Sequence, residues 1–299
     1  MRTPRNEPSL DLVASRSLQD EENVKRIRLS GLLQLGASKN GKDYLISNAN
    51  STTGFTAAAW LTNLPTSQNT FTLSSSDADD NGAGTGARSV RVLGLNPSLE
   101  FQEEVVLLSG TSTVTTANNY LRLISAEVEE TGSTNYNEGE IYIAGTAKTG
   151  HKVIIKSTTP ANELPPGRSF SSHFSVPAGY NAYIDDLQVT HASVSGTAAP
   201  DISSPLIIKV FTIRQDTTGG GTEYPAKQLE TFTVNADQEL NTFGRNTNMK
   251  IEPGSDVIIT AQYANANYSA TVPICLNATV SLVSTGVTAK GTDARSLQG

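Results

Sequence analysis

Hydrophobic and polar positions alternate with a period of two over most of this chain, in short runs separated by turn residues. Residues 69–73, 88–95, 101–108, 120–130, 140–144 and 151–156 are rich in Val, Ile, Leu and Thr, and each reads as a β-strand. Leu121 and Leu123 share one parity and Ala126 and Val128 the other, so an extra residue near Ile124 predicts a β-bulge. Gly94-Leu95-Asn96-Pro97 and Ser109-Gly110 supply turns. A second series runs through 169–176, 180–191, 206–214, 227–234, 257–263 and 273–283. Its turns, Pro177-Ala178-Gly179 and Pro253-Gly254, combine a fixed proline φ with a glycine free to take a positive one. Strands recurring about every 8–12 residues predict an all-β chain of antiparallel β-sandwich or jelly-roll-like modules.

Two stretches break the rhythm. Residues 157–168 (STTPANELPPGR) have no periodicity and hold three prolines, which predicts a linker between a first module at 46–156 and a second at 169–285. A polar tail follows at 286–299. The first 45 residues read as an extended N-terminal arm. Within it, residues 18–29 (LQDEENVKRIRL) predict a short helix, with Ser17 as cap and acidic residues ahead of basic ones. So short a segment orders only against a neighbour, so Leu10, Leu12, Val24, Ile27 and Leu29 are the candidate subunit contacts.

Composition narrows the function classes. Charged residues make up 17% of the chain and the formal charge is −7, which disfavours binding to a nucleic-acid backbone. Cys275 is the lone cysteine, so neither an intrachain disulfide nor a cysteine-based zinc site is available. No apolar run approaches the ~20 residues of a membrane span, and no secretory h-region is visible. The expectation is a soluble protein folded in a reducing cytoplasm, without cofactor.

The tempting chemical motifs each miss a requirement. Asp77-Ala78-Asp79-Asp80-Asn81-Gly82 follows the first half of a calcium loop, with Asp77, Asp79 and Asn81 as candidate ligands. The twelfth position, a glutamate in such loops, is Arg88, and a polar hairpin loop fits better. Gly82-Ala83-Gly84-Thr85-Gly86 leads into a strand rather than opening a helix, so it is not a phosphate cradle. His151, His173 and His191 lack ligand spacing, and no Gly-x-Ser-x-Gly elbow occurs. The acidic pairs Glu103-Glu104, Glu129-Glu130 and Asp185-Asp186 lie on strands, where neighbours point to opposite faces. The tyrosines offer a sugar platform only if the fold gathers them. No enzyme is expected.

Certain phrases carry a resemblance. GTGARSVRV at 84–92 leads into Gly94-Leu95-Asn96, followed by EEVVLLSGT at 103–111 and Asn119-Tyr120-Leu121-Arg122. Together with FSVPAGYNAYI at 174–184 and IEPGSD at 251–256, they resemble modules of virion structural proteins of tailed bacteriophages, cyanophage-like ones in particular. The resemblance spans residues 80–283 and leaves the arm outside it. It implies a virion structural protein, foremost a capsid decoration or cement protein, homo-oligomeric (a trimer by preference) and bound to other capsid subunits. A tail- or fibre-associated module binding host glycan is the alternative. An extracellular adhesin and a β-sandwich hydrolase rank below these.

Overall fold

A computed structural model describes residues 24–35, 43–46, 69–145, 152–157, 167–191, 205–214, 226–234, 240–241, 250–264 and 272–285. All regular structure among them is β, as the alternation predicts. The strands of the N-terminal half are β1 (Val24–Leu35), β2 (Tyr44–Leu45), β3 (Phe71–Ser75), β4 (Ala87–Leu95), β5 (Phe101–Leu107), β6 (Val114–Thr115), β7 (Arg122–Thr131), β8 (Ile141–Gly145) and β9 (Lys152–Ile155). Those of the C-terminal half are β10 (His173–Ser175), β11 (Tyr180–His191), β12 (Leu206–Arg214), β13 (Lys227–Val234), β14 (Leu240–Asn241), β15 (Lys250–Ile251), β16 (Ser255–Tyr263) and β17 (Val272–Ser284).

These strands form four antiparallel sheets around two cores. The sheet β6-β3-β8-β9 and the sheet β5-β4-β7 enclose Phe71, Leu73, Val90, Val92, Leu123, Ile141 and Ile143. The other core lies between the sheet β1-β17-β11-β14, with β15 also on β11, and the sheet β10-β16-β12-β13, with β2 also on β16. Ile184, Val189, Leu276 and Val280 from one side meet Ile208, Val210, Val257 and Ile259 from the other.

The helix expected over residues 18–29 is corrected for its second half: 24–29 are extended in β1, and 18–23 lie outside the described residues. Local caps and charges favoured a helix, but all twelve residues of β1 register against β17, with Ile27 opposite Val280 and Leu29 opposite Ala278. Burying that alternating face outweighs a helix propensity worth a few tenths of a kcal/mol per residue. The expected bulge is present. Leu93 pairs with Ser125 and Gly94 with Leu123, leaving Ile124 as the extra residue.

That bulge has a consequence for packing. Leu123 belongs to the first core, whereas Leu121 and Ile124 enter the second. The hairpin turn after β4 leans the same way, since Leu95 and Leu99 also join the second core. Leu99 takes a left-handed φ of 60°, and its carbonyl accepts the Ala178 N–H at 2.8 Å. Both Pro-Gly turns form as expected, with φ of +76° at Gly179 and +73° at Gly254. Gly94 permits the close approach of β4 and β7, because a Cβ there would lie 2.3 Å from the Arg122 carbonyl oxygen.

Candidate functional site

The most chemically dense site sits where β7 meets β10 and β16. Arg122 opens β7, His173 and Ser175 bracket the short β10, and Asp256 follows the Gly254 turn at the start of β16. Their relative exposures are 1%, 3%, 2% and 2%. Arg122 Nε donates to both Asp256 oxygens, at 3.0 and 3.2 Å, and Nη2 donates to Oδ2 at 3.1 Å. Nη1 donates to the Leu121 carbonyl at 2.7 Å. The Ser175 hydroxyl donates to Asp256 Oδ1, and His173 Nε2 lies 3.0 Å from the Ser175 oxygen.

A serine, a histidine and an aspartate in contact invite comparison with a nucleophilic triad, and the proton arrangement answers it. The single Ser175 proton is directed to the carboxylate, so His173 Nε2 must carry a proton and donate it to the Ser175 oxygen. An activated serine has the reverse arrangement, with the hydroxyl donating to an imidazole lone pair. Burial pushes the Asp256 carboxyl upward, but Arg122, His173 and Ser175 together outweigh it and hold the group at about 2. Burial pushes the His173 imidazole down despite the attraction of Asp256, so the ring is neutral. The arrangement is a sealed ionic brace between the two halves of the chain. Spacing along the sequence gave no sign of it, because 134 residues separate Arg122 from Asp256.

The acidic loop is the second cluster. Fully buried Asp80 organises it, accepting bonds from Ser75 Oγ (2.6 Å), Ala87 N–H (2.7 Å), Glu138 N–H (2.9 Å) and Gly139 N–H (2.8 Å). Of the calcium candidates, Asp77 and Asp79 are brought together, and Glu138 joins them with a ligand atom of each within 4.8 Å of the others. Asn81 is occupied with its own turn, accepting the Ala83 N–H at 3.0 Å and donating to the Ala78 carbonyl at 2.7 Å. Three carboxylates are hard donors of the kind calcium takes, short of the six to eight oxygens it requires. Arg88 turns away, donating to the Gly84 carbonyl at 3.1 Å and pairing with Glu130.

The remaining candidates have structural partners. Leu29 is buried in the second core and Ile27 packs against it, inside their own subunit. Val24 starts β1, while Leu10 and Leu12 lie outside the described residues. Glu129 forms a two-pronged bond with Arg91, Glu104 accepts the Ala117 N–H, and Asp185 accepts the Ser281 hydroxyl. Among the described residues the tyrosines are taken up separately: Tyr44, Tyr120 and Tyr263 are buried, Tyr142 donates to Glu140, and Tyr180 stacks near Phe101. Cys275 is half-buried in β17, and burial pushes its thiol up, away from thiolate reactivity. A cleft of about 300 Å3 opens between the ends of β12, β13, β15 and β16, lined by Thr212, Arg214, Lys227, Lys250 and Glu252 among others. Arg214 is paired with Glu252 at 3.2 Å, whereas Lys227 and Lys250 form no ion pair among the described residues.

The chain matches no protein-family model and no curated protein. Among solved structures it has a distant likeness to structures of infectious bursal disease virus and of particles derived from it. The Gx strain structure is 13% identical over 89% of this chain and 74% of that one, with a TM-score of 0.16. The T=1 particle derived from the same virus is 12% identical over 88% and 74%, with a TM-score of 0.14. The VP2 subviral particle is 12% identical over 88% and 77%, at 0.13.

Proposed function

We propose that this protein is a virion structural component of a tailed bacteriophage, foremost a capsid decoration or cement protein, with no catalytic activity. One observation carries the reading beyond the phrase resemblance. The serine, histidine and aspartate that a hydrolase would present to substrate are sealed here and joined to Arg122, bracing one sandwich against the other. Chemistry turned inward to hold two β-cores together suits a protein whose task is to pack and persist. The subunits assemble with other capsid proteins as a homo-oligomer, a trimer by preference, after synthesis in the host cytoplasm. Density for the two sandwiches in a cryo-EM map of whole particles tests this, with the capsid surface as the expected location. Purified particles lacking the protein would overturn it.

The alternative of a tail- or fibre-associated glycan-binding module gains support from the basic cleft. Lys227 and Lys250 face a space that admits a sugar carboxylate or sulfate. On a glycan array, that reading expects binding restricted to acidic sugars and lost in Lys227→Ala/Lys250→Ala.

A further inference from the structure

The strand β5 is the unfinished edge of its sheet. Val105 and Leu107 are 52% and 65% exposed, and they are the large hydrophobic side chains left exposed among the described residues. Antiparallel pairing fixes which backbone groups are satisfied. The Leu108 N–H donates to the Arg88 carbonyl, so by alternation Val106, Glu104 and Gln102 bond to β4. Glu103, Val105 and Leu107 therefore direct their N–H and C=O groups off the sheet, where no described backbone group bonds to them. An open edge with an apolar face is a template for another strand.

The start of β1 indicates which strand. Lys25 Nζ lies 4.9 Å from the centre of the Phe101 ring and 5.6 Å from that of Tyr180. The side chain of Lys25, the second residue of β1, thus reaches the first residue of β5, so the chain ahead of β1 begins within reach of that edge. Followed backwards from there along the edge, its numbers fall as those of β5 rise, which is the antiparallel sense. Residues 9–16 (SLDLVASR) have the matching pattern, with Leu10, Leu12 and Ala14 on one face and Arg16 at the end. Pro8 has no N–H and would end the pairing.

We propose that residues 9–16 add to the free edge of β5 in the same chain, with Leu10 opposite Leu107 and Leu12 opposite Val105. This register sets Arg16 opposite Phe101 and diagonal to the exposed Glu103 carboxylate. The connection through residues 17–23 is ample for a reversal, since hairpin loops of about 2–5 residues suffice. An arm tethered at the edge it fits has an effective concentration on the order of millimolar, well above a second copy at micromolar protein. Leu10 and Leu12, expected from the sequence to meet a neighbouring subunit, thereby shield their own.

Disulfide trapping tests this. In a Cys275→Ser background, Leu12→Cys/Val105→Cys is expected to close an intramolecular disulfide under mild oxidation, because paired residues there sit about 5.5 Å apart. The control Leu12→Cys/Glu252→Cys is expected to stay reduced. Disulfide-linked dimers would assign the arm to a second copy and overturn the proposal, as would a folded double variant that stays reduced. Amide exchange on otherwise unmodified protein gives a second reading. The amides of Glu103, Val105 and Leu107 are expected to exchange at least ten times more slowly in the full chain than after deletion of residues 2–17. Equal rates in the two would overturn it.

Discussion

Asp256 is almost without water and keeps its charge only because Arg122, Ser175 and His173 surround it. Removing one partner of a buried ion pair leaves the other uncompensated, which costs about 3–5 kcal/mol. Asp256→Asn is therefore expected to destabilise by that amount in chemical denaturation. Arg122→Met combined with Asp256→Val is expected to recover most of the loss, since no buried charge is stranded. The same residues set the acid response. The His173 pKa is lowered on folding, so the unfolded chain takes up a proton below about 6.5 that the native state refuses. This contribution is complete above that pH and falls as the pH drops, with a slope of up to ~1.4 kcal/mol per pH unit. Asp256, held at about 2, adds roughly 2 kcal/mol at neutral pH that is lost between about pH 4 and 2. Denaturation midpoints measured between pH 7 and 5 check the histidine part. His173→Gln is expected to flatten that limb.

At the scale of elements, β1 shows how far local preference yields to a partner. Its first half carries helix signals, yet its register against β17 is continuous from Val24 to Leu35. The N-terminal arm can therefore be shortened only so far. Deleting residues 1–23 leaves β1 whole but takes residues 9–16 from the β5 edge, and is expected to lower the melting temperature by less than a deletion that reaches into β1. Deleting residues 1–30 removes the registered positions from Val24 to Ser30 and exposes Ala278 and Val280 of β17. That variant is expected to melt lower and self-associate through the bared edge, as light scattering during a thermal ramp would register. The bulge at Ile124 works in the opposite direction. Its signal was local, a change of parity in the apolar positions, and so it was legible before any partner was known.

For the whole molecule, the brace and the shared residues Leu95, Leu99, Leu121 and Ile124 couple the two cores. Calorimetry of the intact chain is expected to show one cooperative transition. Arg122→Met, which removes the ionic link but not the apolar contacts, is expected to broaden or split it. A single sharp transition in that variant would mean that the hydrophobic junction alone couples the halves.

Strand identity, the turns at Gly179 and Gly254 and the Ile124 bulge follow from the sequence alone, because side-chain parity and φ preference act between near neighbours. Asp77 and Asp79 were legible as a pair for the same reason, whereas Glu138 joins them only through the fold. The fate of 24–29, the burial of His173 and the meeting of Arg122 with Asp256 were decided by tertiary structure. Each depends on desolvation and pairing across more than eighty residues, and no local pattern encodes which distant strand supplies the partner.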